Sequence, residues 1–146
     1  MTDDDNEFLA AFEEGRRLKN AAKERDKAAE RERQERLKSF HNGVIQWVES
    51  DVAPAIERAK TQLAAAGVTI LSKVTDRFPA QPAAINITIE YGKTAKSFSF
   101  MQNPGSDAIN LVDEKTRSLG TVKTLGKEQI TAEIKKVLLD IGFKGD

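Results

Sequence analysis

Few side chains in this sequence have the chemistry that catalysis or metal binding requires. The chain contains a single histidine, His41, and no cysteine, which excludes thiolate nucleophiles, disulfides, sulfur-bound zinc and metal sites built from several histidines. It also lacks a glycine-rich phosphate loop and a nucleophile-elbow serine, and no spacing assigns His41 as a base to a serine or threonine. The sequence therefore predicts no catalytic residue, no metal and no cofactor, and it favours a protein that is not an enzyme.

Three residues could instead line a ligand pocket. His41 falls on the apolar line of a helix near Trp47, where a single histidine is more often a packing residue than a catalyst. Trp47 and Tyr91 combine a large ring with a polar group, which is typical of core margins as well as of pockets. One hypothesis is therefore a small-ligand pocket between helix and sheet, lined by His41, Trp47 and Tyr91.

Charge is distributed unevenly along a chain whose net charge is zero. Residues 1–14 carry six acidic side chains and no basic one, whereas residues 15–38 carry ten basic and five acidic ones. The acidic run Asp3–Asp5 lacks the spaced ligands of a calcium loop, and it is better explained as stabilising a helix start. The balance of 23 basic and 23 acidic residues leaves no global field that would attract nucleic acid or an anionic membrane.

Six basic residues nevertheless share one face of a helix that turns by about 100° per residue. This basic stripe could neutralise phosphates along a nucleic-acid groove. No aromatic residue interleaves with it and glutamates interrupt it, which favours a solvated face over nucleic-acid binding. The basic stripe consists of Arg16, Lys19, Lys23, Lys27, Arg31 and Lys38.

Residues 6–40 should form one long helix, because they are rich in strong helix formers and contain no proline. Its ion pairs at three- and four-residue spacing would contribute only about 0.2–0.5 kcal/mol each. The face opposite the basic stripe is apolar but narrow. Methyl groups bury little area, so we expect this face to contact a partner helix or a second copy. We call it the alanine seam: Leu18, Ala21, Ala22, Ala28 and Ala29.

A second helical pattern follows the first. From Leu37 to Ala66 apolar residues recur at three- and four-residue steps, on a line that does not continue the alanine seam. This mismatch and the Asn42-Gly43 pair predict that the first helix ends or bends near residue 42. Pro54 predicts either another kink or a new helix capped by Ser50-Asp51.

After Gly67 the apolar period changes to two, which indicates β-strands. The clearest alternation runs from Ile85 to Tyr91, and Phe98 and Phe100 continue it after a short turn. The predicted strands cover residues 68–74, 85–91, 95–102, 109–113 and 119–124. They form a meander with one dry face.

The chain should close with an amphipathic helix after Gly126, in which Leu125 packs on Ile130 and Gly142 ends the helix. The predicted fold is therefore α+β, with a long helical arm, an amphipathic helix, an antiparallel meander of four or five strands, and a C-terminal helix on one sheet face. We define the arm as residues 1–41 and the module as residues 42–146.

Three functions fit this architecture. The leading hypothesis is a non-catalytic assembly or adaptor protein whose arm mediates self-association or docks a protein partner. The alternatives are nucleic-acid binding through the basic stripe and small-ligand binding in the module. The acidic start and the lack of an apolar run long enough for a membrane helix predict a cytoplasmic protein without a membrane partner.

Overall fold

A computed structural model describes residues 6–145 and confirms the predicted α+β class. Helix α1 is followed by a π-helical turn, helix α2, a short 3-10 turn, five strands and helix α3. In chain order these are α1 (Glu7–Trp47), the π-helical turn (Val48–Val52), α2 (Ala53–Leu63), the 3-10 turn (Ala64–Ala66), β1 (Val68–Thr75), β2 (Ala84–Tyr91), β3 (Thr94–Gln102), β4 (Ala108–Val112), β5 (Thr116–Thr121) and α3 (Lys127–Lys144).

The chain divides between Arg36 and Leu37 into two compact units. In the described part of the N-terminal unit every residue from 6 to 36 is exposed except Ala22, which is partly buried. The C-terminal unit contains the sheet, α2, α3 and all buried residues of the described chain.

The predicted end or bend near residue 42 does not occur. Helix α1 has 41 residues and continues through Asn42 and Gly43 to Trp47. A single glycine inside a helix costs only about 0.5–1 kcal/mol relative to alanine. Val44, Trp47 and Val48 are buried, and the apolar contacts they make outweigh that cost.

The proline of the second helical pattern is accommodated by a change of hydrogen-bond spacing rather than by a new cap. The Ala53 N–H donates to the Val48 carbonyl, five residues earlier, in the π-helical turn. Pro54 follows in the first turn of α2, where its missing N–H removes no intrahelical bond. The predicted Ser50-Asp51 cap is wrong, because the Ser50 hydroxyl donates to Asp51 at 3.2 Å and α2 has no side-chain cap.

The sheet is a five-stranded antiparallel meander in the order β1-β2-β3-β4-β5. Strands β2 and β3 bury alternate residues on one face, as predicted. The buried side chains of this face include Ile85, Ile87, Ile89, Phe98 and Phe100. On the other face the Ser97 and Thr88 hydroxyls lie 2.9 Å apart, and the Ser99 hydroxyl donates to Asn86. The dry face therefore points toward the helices.

The last strand begins earlier than predicted. Strand β5 covers Thr116–Thr121 and follows a tight turn in which the Lys115 N–H donates to the Asp113 carboxylate at 2.8 Å. The segment starting at Thr116 is polar and exposed at the sheet edge, so no apolar alternation marks it. A register irregularity at Ile109/Asn110 further obscures the period.

Helix α3 begins as predicted and ends later. Leu125 and Ile130 are both buried around the Gly126 N-cap. The predicted stop at Gly142 is wrong, because the helix extends to Lys144 and Gly145 is its C-cap. Buried Ile141 and the apolar contacts of the preceding turns keep Gly142 helical.

The core lies between the dry face of the sheet and the helical segments of the C-terminal unit. Trp47 packs edge-on against Phe100 with ring centroids 5.9 Å apart, and Phe98 makes a similar contact with Phe100. Phe100 is only 1% exposed. Truncation of such a side chain to alanine costs about 3–5 kcal/mol, so we expect this aromatic cluster to contribute to the stability of the core.

Candidate interaction surfaces

His41 holds a loop in place. It is 2% exposed, and its Nε2 lies 2.6 Å from Oδ1 of Asp76, in the loop after β1. Phe78 covers the imidazole ring at a centroid distance of 5.3 Å. Within residues 6–145 the Nδ1 atom has no hydrogen-bond partner. These contacts join the C-terminal part of α1 to the β1–β2 loop, and they give His41 a packing role.

Trp47 lines a cavity that the other two predicted pocket residues do not reach. The cavity, of about 240 Å³, lies beside α3 and includes Phe100 and Leu125 in its wall. At its margin the Glu133 carboxylate accepts from Arg117 at 2.8 Å. Neither His41 nor Tyr91 belongs to this wall.

Tyr91 lies at the end of α3 instead. A Cβ atom placed on Gly145 would come within 2.5 Å of its ring carbon Cδ1, so the ring closes on the backbone after the helix. The structure thus does not bring His41, Trp47 and Tyr91 together as one pocket. The Trp47 indole nitrogen is buried without an acceptor in the described chain.

The alanine seam lies on an uncovered face of α1. Leu18 is 55% exposed, and of the five seam residues only Ala22 is partly buried. A helix that is solvated on every side loses little apolar area to its own chain, and most helical stability in proteins comes from packing. The seam is therefore available to another helix.

The basic stripe is also exposed along its whole length. Lys27 pairs with Glu24 at 3.7 Å. Among residues 6–145 the other five members have no carboxylate within ion-pair distance. These five side chains are therefore not held in ion pairs within the described chain.

Two ion pairs next to the stripe have the predicted three-residue spacing. Arg33 donates to Glu30 at 2.9 Å, and Arg17 pairs with Glu14. The hydrogen bond from Arg33, with a second from Gln34, lowers the pKa of Glu30 to about 2. The same contact raises the pKa of Arg33.

Sequence reasoning missed an apolar cluster at the start of α1. Phe8 is 85%, Phe12 66% and Leu9 54% exposed. We call these three residues the apolar tip. The two phenylalanines are four residues apart, which places them on one side of the helix, and this spacing is visible in the sequence. The apolar tip lies about a third of a turn around the helix from the alanine seam.

A groove of about 280 Å³ separates α2 from α3. Its floor is apolar, and its rim carries Arg58 on α2 and Lys135 on α3. Arg58 reaches across to the Thr131 hydroxyl at 3.4 Å. Lys127 lies further along the same rim, beside Glu128. The floor consists of Ala55, Ala59, Leu63, Ile134 and Leu138.

No constellation for metal chemistry accompanies these surfaces. Over residues 6–145 no three His, Cys, Asp or Glu side chains cluster so as to hold a metal ion. Asp3–Asp5 lie outside the described residues. In the same part of the chain, no helix combines the length and the apolar character needed to cross a membrane. The chain matches no protein-family model, no curated protein and no solved structure.

Proposed function

We propose that the protein is a non-catalytic assembly or adaptor protein of the cytoplasm, in which the arm mediates self-association or docks a protein partner. The observation that carries the proposal is the exposure of residues 6–36. This long helix leaves both the alanine seam and the apolar tip in water.

The energetics of an isolated helix support this function. Isolated helices are marginal in water, and tertiary contacts normally supply most of their stability. Here the arm leaves apolar residues uncovered on two different faces. Packing the small residues of the alanine seam against another helix lets the two backbones approach closely, and it removes Leu18 from water.

The test is to replace two alanines of the alanine seam by larger side chains. The double substitution Ala22→Gln and Ala28→Gln keeps good helix formers but separates two packed backbones. We expect it to convert an assembled protein to monomer, or to abolish capture of the partner, with unchanged helix content. Light scattering and circular dichroism give the two readouts.

Asn20→Gln is the matched control, because it lengthens a side chain on the side of the helix away from the seam. It should leave the mass unchanged. If the Ala22→Gln, Ala28→Gln chain keeps both its mass and its partner, the alanine seam is not the contact surface.

Nucleic-acid binding is the second candidate function, and the unpaired cations of the basic stripe favour it. In that case Lys19→Glu, Lys23→Glu and Lys27→Glu together should abolish binding of a duplex, and affinity should fall steeply with salt. Binding that persists after the triple charge reversal, or that ignores salt, would exclude the stripe as the contact. A gel shift at two salt concentrations measures both effects.

A further inference from the structure

The groove between α2 and α3 combines an apolar floor with unpaired positive charge. Ile134 is buried and Leu138 partly buried on the α3 side of the floor. Arg58 and Lys135 on the rim are exposed, and among residues 6–145 neither lies within ion-pair distance of a carboxylate. Nearby Glu57 is already paired with Lys60 at 3.4 Å. The groove therefore fits a segment that is both apolar and acidic.

The apolar tip has the complementary chemistry. Phe8, Leu9 and Phe12 are large and exposed, and the first 14 residues carry six carboxylates and no cation. The basic stripe of another arm would satisfy the charge of this segment but offers no apolar floor. The groove satisfies both.

We infer that the groove between α2 and α3 binds the apolar tip of a second copy of this chain. The contact takes three large apolar side chains out of water and brings the acidic segment to the unpaired cations. This inference rests on the proposed function, since it requires the arm to be an assembly device. It adds the site on the module that receives the arm.

The contact is independent of the alanine seam. The apolar tip and the seam lie about a third of a turn apart on the helix, so pairing along the seam leaves the tip free. Each copy carries one tip and one groove. Two copies can therefore exchange tips reciprocally, which is the self-complementary arrangement of a symmetric dimer.

A charge-exchange experiment on the full chain tests the inference. The groove variant carries Arg58→Glu and Lys135→Glu. The tip variant carries Asp4→Lys, Asp5→Lys, Glu7→Lys and Glu13→Lys, which changes the net side-chain charge of residues 1–14 from −6 to +2. Each variant alone places like charges together, so we expect its apparent dissociation constant to rise by about tenfold or more relative to the unchanged chain. A mixture of the two restores opposite charges at both contacts and should recover the mass of the unchanged protein.

Two further variants serve as checks. Lys93→Glu with Lys115→Glu makes the same charge change at exposed turn positions outside the groove, and it should leave the mass unchanged. Phe8→Ala with Phe12→Ala removes apolar area without changing charge, and it should weaken association. Circular dichroism confirms that each chain is folded before light scattering is measured over a range of concentrations and salt.

Several results would overturn the inference. The first is that the groove variant, or the Phe8→Ala, Phe12→Ala chain, associates as strongly as the unchanged protein. The second is that the mixture of the groove and tip variants fails to recover the mass of the unchanged protein. The inference would also fail if the unchanged chain is a monomer at every concentration. It would fail as well if the groove is occupied by an anionic amphiphile, which the unchanged chain and the tip variant would retain and the groove variant would lose. If only Ala22→Gln with Ala28→Gln dissociates the protein, the proposed function stands and this inference fails.

Discussion

At the residue scale, the buried side-chain amide of Gln102 is matched to specific partners in the C-terminal unit. Gln102 is 4% exposed at the end of β3. Its Oε1 accepts from the Ala83 N–H at 3.1 Å, and its Nε2 donates to the Ser106 carbonyl at 2.8 Å. One side chain thus connects the segment before β2 to the β3–β4 turn.

Gln102→Leu should lower the free energy of unfolding by about 1–3 kcal/mol, because it leaves a buried N–H and a carbonyl without partners. Urea denaturation measures the change. Gln81→Leu is the matched control, since Gln81 is exposed in the loop before β2, and it should be close to neutral. Equal effects of the two substitutions would show that the bridge does not contribute.

The Glu30–Arg33 pair gives a prediction about pH. The pKa of Glu30 is about 2 instead of its ordinary 4.5. A carboxyl whose pKa is lowered in the helix stabilises it above pH 4.5, and this contribution is lost as the pH falls toward 2. In the full chain, the NMR chemical shift of the Glu30 carboxyl carbon should therefore titrate with a midpoint near pH 2.

Arg33→Met should return the pKa of Glu30 toward 4.5, because Arg33 provides the main hydrogen bond. Arg25→Met removes an arginine that makes no contact with Glu30 and should leave the titration unchanged. A Glu30 midpoint near 4.5 in the unchanged chain would contradict the assigned ion pair. Because the pair is exposed, its effect on overall stability should be small.

At the element scale, two glycines have opposite roles. Gly120 in β5 has φ +134°, and a Cβ there would lie 2.9 Å from the Thr124 hydroxyl oxygen. Gly43 lies inside α1, and a Cβ there would meet no atom within 4 Å. The first position requires glycine and the second does not.

Gly43→Ala should therefore raise the free energy of unfolding by about 0.5–1 kcal/mol, because alanine is the better helix former. Gly120→Ala should lower it by about 1–3 kcal/mol, since it forces a side chain into a strained backbone conformation. Thermal unfolding of the two variants measures both changes in the free energy of unfolding. A stabilising Gly120→Ala would contradict the strand geometry at this position.

Elements with a strong period could be predicted from sequence, and elements set by tertiary contacts could not. Strands β2 and β3 differ from their predicted bounds by one residue at most, because Ile85–Ile89 and Phe98–Phe100 alternate cleanly. Strand β5 is polar at its start, so the predicted strand begins and ends three residues too late. The continuation of α1 past residue 42 depends on burial of Val44 and Trp47, which local propensity does not reveal.

The candidate surfaces also divide into those that sequence period predicts and those that only tertiary contacts create. The alanine seam and the basic stripe follow from helical spacing alone, and the exposed tip at Phe8 and Phe12 was visible in the same spacing. The groove was not predictable. It exists because α2 and α3 pack on the sheet with Arg58 and Lys135 at facing positions, and these helices are far apart in sequence.

At the scale of the whole molecule, self-association through the arm requires that its apolar surfaces together provide a stable interface. Specific protein–protein interfaces bury about 1,200–2,000 Å². A seam of alanines contributes little area per residue, and the three large residues of the apolar tip add to the area that the arm offers. Self-association through the arm should accordingly depend on both faces of α1, and the contact of the acidic tip should weaken with salt.

The most direct test is the solution mass, by light scattering, of the full chain and of a version that begins at Leu37, each at low and high salt. Leu37 is retained because it is partly buried in the C-terminal unit. We expect the full chain to be a dimer or larger and the shortened chain to be a folded monomer. A shortened chain that stays assembled, or a full chain that is monomeric at every concentration, would contradict self-association through the arm.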